Sequence, residues 1–167
     1  MPIMVPHFTK TLIVVRHCHR ETNQGRMLDN GLSEKGLQQR EELLRHLGKW
    51  VEMARPHLMS SPRLRCRETL KLFSETSRQK IQISELLEEQ WEREKSSQFL
   101  HRVKEFLRWW KEESPSDLVV CSHGDWIPLF LKEAVGKTLA LKKAGWVELK
   151  SNEPSTPVVT RTHRVMK

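Results

Sequence analysis

The stretch that most limits what this chain can become is Leu12-Ile13-Val14-Val15, followed at once by Arg16-His17-Cys18-His19. An unbroken apolar run rich in β-branched residues predicts a strand buried on both faces, as in a parallel sheet flanked by helices. Arg16 and His17 cannot continue a core, so the strand ends there. In open α/β sheets, ligands bind at the carboxyl ends of strands. A guanidinium beside an imidazole at such an end suits an anionic ligand and nucleophilic chemistry. Taken alone, the pair is better read as a basic loop that follows a strand, since single His and Arg residues are common there.

The pattern recurs, and recurrence favours the functional reading. Pro56-His57-Leu58-Met59-Ser60-Ser61-Pro62 is a short apolar stretch and a turn, and Arg63, Arg65 and Arg67 then open a helix. Asp117-Leu118-Val119-Val120-Cys121-Ser122 runs straight into His123-Gly124. If these strands are parallel neighbours, Arg16, His17, Arg65 and His123 meet at one sheet edge. Two imidazoles and two guanidinium groups meeting there predict a phosphate pocket.

Four motifs, in order, resemble those of the histidine phosphatase superfamily, which contains phosphoglycerate mutases and bacterial phosphohistidine phosphatases. Arg16-His17-Cys18 stands at its Arg-His-Gly signature, and Gly31-Leu32-Ser33-Glu34-Lys35-Gly36-Leu37-Gln38-Gln39 is similar to its Leu-Thr-x-x-Gly-x-x-Gln segment. Ser60-Ser61-Pro62-Arg63-Leu64-Arg65-Cys66-Arg67-Glu68-Thr69 resembles Ser-Ser-Pro-x-x-Arg-Ala-x-x-Thr, and Ser122-His123-Gly124 matches the second histidine motif. The resemblance runs from about Leu12 to Leu149 and is closest to the short, phosphohistidine phosphatase-like members. It implies an α/β protein, a three-layer α/β/α sandwich on a mostly parallel central sheet. One domain over 1–167 is expected, with an irregular lead-in over 1–10 and a minimal cap over 85–116.

What the resemblance implies for chemistry is a metal-independent phosphatase without cofactor. His17 would be the nucleophile that becomes a phosphohistidine, while Arg16, Arg65 and His123 would bind the phosphoryl group. Glu85, in the apolar-x-Glu segment Ile83-Ser84-Glu85, would be the acid and base. Glu88 is the second choice, and Glu89 and Glu92 read as surface charges. Asn23, Thr22 and Gly124 are candidate substrate contacts, although turn chemistry accounts equally well for Thr22-Asn23-Gln24-Gly25. The residues alone do not say which histidine attacks.

Cys18 replaces the family glycine, so a side chain enters where backbone usually approaches closely. A thiol among cations could be acidic and oxidisable. Cys18, Cys66 and Cys121 together with His17, His19 and His123 raise the thought of a metal site, but no two-cysteine ligand pair exists and buried inert thiols are expected for Cys66 and Cys121. His19 reads as pocket lining or loop.

Composition matters for the partner. The 167 residues carry 29 Lys and Arg against 21 Asp and Glu, for a net charge of +8. That balance favours anionic partners: a phosphorylated small molecule, a phosphoprotein, or phosphate itself. The basic residues are scattered, with no zinc-finger spacing and no aromatic RNA-binding signature, so a nucleic-acid-binding domain ranks low. A phosphate- or phosphoprotein-binding member of the same fold that does not turn over is the nearer alternative. No segment is long enough to span a bilayer and no export signal is visible, and an odd number of cysteines, three, suits a reducing cytoplasm rather than a disulfide framework.

Between these motifs, helices are expected from the apolar spacing. Ser33 is a candidate N-cap for a helix presenting Leu37, Leu43, Leu44, Leu47, Trp50 and Val51. Phe99, Val103, Phe106, Leu107 and Trp110 mark another, and Trp126 to Val135 a third that Gly136 ends. Trp146 to Leu149 and Pro157 to His163 read as late strands.

Overall fold

A computed structural model describes residues 10–114, 117–151 and 156–163; most of the expected lead-in and the Pro115-Ser116 break lie outside the described residues. The elements follow in the order β1 (Lys10–Arg16), α1 (Glu34–Ala54), β2 (His57–Ser60), α2 (Leu64–Ser77), β3 (Ile81–Ile83) and a 3-10 turn (Glu85–Leu87). Then come α3 (Ser96–Glu112), β4 (Asp117–Ser122), α4 (Trp126–Val135), β5 (Trp146–Ser151) and β6 (Val158–His163). One six-stranded sheet has the order β3-β2-β4-β1-β5-β6. The four strands from β3 to β1 are parallel, and β5 and β6 are antiparallel additions at the other edge.

Strand β1 is central because its sequence demands it. Leu12, Ile13, Val14 and Val15 are fully buried, with alternate side chains serving opposite faces. Ile13 and Val15 join Leu43, Leu47, Val51, Leu70 and Phe73 beneath α1 and α2. Leu12 and Val14 join Phe106, Trp110, Trp126 and Phe130 beneath α3 and α4. These two apolar layers on one sheet make the α/β/α sandwich. On the second face, Phe106 lies edge-on to Trp126 at 5.3 Å and to Phe130 at 5.6 Å, and Trp126 stacks on Phe130 at 5.0 Å. The helix expected within the cap, α3, is therefore a wall of the sandwich.

Helix α1 begins as anticipated, with the Ser33 hydroxyl accepting the Gly36 amide. Leu37 departs from expectation: it is 41% exposed. The face turned to the protein at this first turn belongs to Gly36, where a Cβ would lie 2.0 Å from the His19 carbonyl oxygen. A hydrophobic residue one position along must then face water, since neighbours on a helix do not share a face.

This close approach sets α1 against the segment that follows β1. Gly36→Ala is expected to destabilise the protein by about 1–3 kcal/mol, whereas Leu37→Ala should change stability by less than about 0.5 kcal/mol. Urea denaturation of the two variants measures both; equal effects would show that the contact is not what fixes this turn.

Candidate active site

Pairing continues beyond the strands and pulls three strand ends together. The register of β1 on β4 aligns Arg16 with Ser122, and β2 on β4 aligns Ser60 with Cys121. The His17 amide then donates to the Ser122 carbonyl at 3.1 Å, and the Ser61 amide to the Cys121 carbonyl at 3.1 Å. His17, Ser61 and His123 are thereby the first residues past three adjacent parallel strands. Arg65 arrives from the first turn of α2, whose N-cap is Arg63.

The two imidazoles lie 5.4 Å apart, centroid to centroid, inclined at 61°. His17 Nδ1 is 2.8 Å from the Cys18 carbonyl oxygen. A carbonyl only accepts, so this bond assigns the proton to Nδ1 and leaves a lone pair on Nε2. His123 Nε2 is 2.8 Å from the Ser61 hydroxyl, and the Arg65 guanidinium approaches Nδ1 at 3.4 Å. Arginine only donates, so Nδ1 of His123 accepts and its proton sits on Nε2.

Burial and surrounding cations hold both rings neutral. His17 is 6% exposed and its pKa is pushed down to about 3, chiefly by desolvation and then by Arg65, Arg16 and Lys143. His123 is 2% exposed and pushed down to about 2 by desolvation, Arg65 and His17. Arg16 donates to the Leu141 carbonyl at 2.7 Å, while its buried Nε and that of Arg65 have no hydrogen-bond partner among the described residues. Buried guanidinium donors without an acceptor are costly unless an anion completes them.

Gly124 has a steric role. A Cβ there would meet the Arg16 guanidinium carbon at 2.7 Å, so the glycine makes room for the arginine. Thr22 and Asn23 do not join the cluster through any hydrogen bond among the described residues. The Glu21 carboxylate caps both their amides at 2.9 Å, Gly25 closes the turn onto Thr22, and Asn23 is exposed. Of the two readings of this segment, turn chemistry is the one its geometry displays.

The glutamates nearest the cluster are arranged differently from expectation. Glu85 opens the 3-10 turn and is exposed, and its carboxylate makes no ion pair or hydrogen bond among the described residues. Glu88 is buried, but it pairs with Arg63 and accepts from the Trp91 indole at 2.9 Å. Glu89, read from sequence as a surface charge, reaches the cluster: Oε1 is 2.8 Å from Arg65 and Oε2 is 3.7 Å from His123 Nδ1. The physical reason is the tight turn Glu85–Leu87, closed by Leu87 and Glu88 amides bonding back to Ser84 and Glu85. It carries Glu85 outward before the chain crosses the strand ends. Spacing within Glu85–Glu92 held no signal that could single out Glu89. Arg63, expected to be solvated, is likewise engaged with Glu88 and lies 3.8 Å from Glu89.

Cys18 does not reshape the pocket. Its side chain is fully buried among Val15, Leu43 and Cys66 of the α1/α2 core, and its amide donates to Thr69 at 3.0 Å. Burial pushes the thiol up to about 12, the reverse of an activated cysteine. His19 bonds the Ser33 hydroxyl at 2.6 Å and so belongs to the α1 cap. Among the described residues, no three His, Cys, Asp or Glu side chains are grouped to hold a metal ion.

A family model covers the part of the chain that supplies Arg16, His17, Arg65 and Glu89. Residues 12–94 match the model of the histidine phosphatase superfamily, branch 1. The chain belongs to the histidine phosphatase superfamily. His123 lies beyond the matched segment and enters the site through the β4 register alone. Solved structures share the fold of this histidine phosphatase-type chain. A mycobacterial protein named hydrolase 1 superimposes with a TM-score of 0.77 at 16% identity, covering 94% of this chain and 99% of its own. Mycobacterial glucosyl-3-phosphoglycerate phosphatase gives 0.73 at 16% identity, covering 93% and 100%. A phosphoserine phosphatase mutant from Entamoeba histolytica, in complex with phosphoserine, gives 0.72 at 17%, covering 92% and 96%. No curated protein matches by sequence.

Both histidines have folded pKa values below the ordinary 6.5, so the folded state resists protonation that the unfolded chain accepts. Their contribution to stability is therefore complete above about pH 6.5 and is lost progressively as pH falls towards about 3. Imidazole nitrogen NMR at pH 5 should find His17 and His123 neutral, with His17 protonated on Nδ1; titration of either near pH 6.5 would contradict this electrostatic picture.

Proposed function

We propose that the chain is a metal-independent phosphomonoesterase whose nucleophile is His17. The observation that carries this reading is the pairing of a neutral imidazole, its Nε2 lone pair left free by the Nδ1 bond to Cys18, with two guanidinium groups whose buried Nε donors are unpartnered among the described residues. Nucleophilic catalysis at phosphorus needs an unprotonated attacking nitrogen and cations for the peripheral oxygens. His17 Nε2 forms a bond to phosphorus as the phosphorus–oxygen bond of the ester breaks, and Glu89 delivers a proton to the departing oxygen. Water then attacks the phosphohistidine, giving its proton to the Glu89 carboxylate as the phosphorus–nitrogen bond breaks and His17 is restored. Arg16 and Arg65 hold the phosphoryl oxygens throughout. His123, kept neutral by those cations, gains proton affinity when a dianion arrives and becomes a further donor.

Glu89 replaces Glu85 in this reading because only Glu89 stands beside Arg65 and His123. In the free protein its carboxylate lies against the cations that a phosphoryl group would use. A substrate must therefore displace it or meet it protonated, which couples binding to the protonation state the first step requires. The core placement of Cys18 removes one of two grounds for reading the chain as a binding-only relative, the other being the outward position of Glu85.

For substrate, the mouth of the site is the guide. The charges of Arg20, Arg26 and Lys143 act on one another and on the pocket, with Arg65 and Arg16 among the groups they face. Ala144 donates to the Arg16 and His17 carbonyls, which brings the Lys143 turn to the nucleophile. This rim suits a strongly anionic phosphate carrier, either a small phosphomonoester or a phosphoprotein, phosphohistidine included. Cys18, Cys66 and Cys121 are free and buried thiols, which suits a reducing compartment such as the cytoplasm. No helix among the described residues is long and apolar enough to cross a membrane.

Hydrolysis of para-nitrophenyl phosphate in EDTA is expected, falling at least about 1,000-fold in His17→Ala; activity that survives the substitution would sink the mechanism. Raising ionic strength tenfold should lower kcat/KM about fivefold with little change in kcat, as screening weakens steering by the rim. A salt-independent kcat/KM would show that the rim does not guide the substrate.

A further inference from the structure

The segment that presents Glu89 has almost no regular structure. Beyond the 3-10 turn it runs irregularly until Ser96. One side chain organises it from below: Arg102 of α3, 7% exposed. Its Nη1 donates to the Glu85 and Glu88 carbonyls, both at 2.9 Å. Its Nη2 donates to the Glu89 carbonyl at 3.0 Å and to Glu94 Oε1 at 2.7 Å, and Nε donates to Glu94 Oε2 at 2.7 Å. A guanidinium has five N–H donors, and all five are used on this one segment. The guanidinium carbon also lies over two rings, 4.2 Å from the Trp91 centroid and 5.1 Å from that of Phe99.

Nothing of Arg102 is left for a substrate, and the Glu94 pair alone would not require three carbonyls to converge. The geometry has a direct consequence at the site. The carbonyls of Glu88 and Glu89 are gripped from one side, so their side chains are aimed by a fixed backbone. Glu88 goes to Arg63 and the Trp91 indole, and Glu89 to Arg65 and His123. From the sheet side, Ser122 donates to the Leu87 carbonyl at 2.6 Å, the Trp126 indole to the Leu86 carbonyl at 2.8 Å, and the Gln90 amide to Asp125 at 3.0 Å. These bonds bracket residues 86–90; Asp125 holds the amide of the peptide that follows Glu89, while Arg102 holds the carbonyls of both peptides that flank the Glu89 Cα.

We propose that Arg102, clamped by Glu94, is a positioning residue that sets the Glu89 carboxylate at the reacting phosphoryl group without touching it. The proposal rests on reading Glu89 as the proton donor. Lysine cannot substitute for the clamp, because a single ammonium with three donors cannot span three carbonyls and a carboxylate in one plane.

The test exploits leaving-group chemistry. A general acid matters for an ester whose leaving oxygen is strongly basic and little for one that departs unaided. The experiment compares kcat/KM for phenyl phosphate and 2,4-dinitrophenyl phosphate in the full chain and in Glu89→Gln, Arg102→Lys and the double variant. Circular dichroism and thermal melting check folding. Glu89→Gln is expected to lose about 100-fold on phenyl phosphate and under about threefold on the dinitrophenyl ester. Arg102→Lys should show the same split at about tenfold, and the double variant should be no worse than Glu89→Gln alone, as for residues acting through one group.

A split in Glu89→Gln with no split in folded Arg102→Lys overturns the positioning role and leaves the acid assignment standing. No split in Glu89→Gln overturns the acid assignment, and Arg102 falls with it. Absence of turnover by the unaltered chain overturns the hydrolase reading first. If Arg102→Lys does not fold, Glu94→Gln, which keeps the arginine but weakens its clamp, must show the split in smaller degree; an unsplit, folded Glu94→Gln overturns the proposal.

Discussion

The parallel alignment of β1 on β4 is the constraint on which the rest of this molecule depends. It places Arg16 opposite Ser122, and so puts His17 and His123 one residue beyond two hydrogen-bonded neighbours. Because side chains alternate along a strand, a slip of one residue would turn Leu12 and Val14 towards the wrong helices and carry His17 away from His123. The core on both faces therefore enforces the geometry of the site. A strand buried on both faces tolerates no second register, and the edge that carries the two histidines inherits that precision.

What collects at that edge would be unstable by itself. Arg16, Arg63 and Arg65 surround two imidazoles in a buried setting, and the protein meets this charge in two ways. It keeps both histidines neutral, by desolvation and by the arginines themselves. It also brings carboxylates in from a separate segment, Glu88 to Arg63 and Glu89 to Arg65. The neutral state that relieves repulsion in the free protein is the state a nucleophilic nitrogen needs. Gly124 contributes by omission, leaving the space the Arg16 guanidinium occupies.

The carboxylates arrive on a piece of chain with little periodic structure, which makes its anchoring decisive. Ser122, Asp125 and Trp126 hold it from the sheet side, and Arg102 grips its carbonyls from α3. Helix α3 thus does two jobs. Phe106 and Trp110 seal the sheet, while Arg102, on the same element, spends every donor on the segment that carries Glu89. An α3 that formed a lid would have no fixed sheet behind it from which to do this.

The sandwich, the central strand and the convergence of Arg16, His17, Arg65 and His123 at one sheet edge were legible in the sequence. These are legible because each follows a local rule: a buried run must pair, and a polar residue straight after it must sit at the strand end. The start of α1 at Ser33 and the end of α4 at Gly136 were legible for the same kind of reason, since caps are local chemistry. Tertiary structure alone decided which carboxylate joins the site. Glu85, Glu88 and Glu89 are chemically identical and lie within five residues, and their fate turns on one 3-10 turn and on Arg102, distant in sequence. It also decided that Leu37 faces water, that Thr22 and Asn23 form a turn, and that Cys18 points into the core. In each case the outcome is set by what lies across a contact, and no local pattern carries that information.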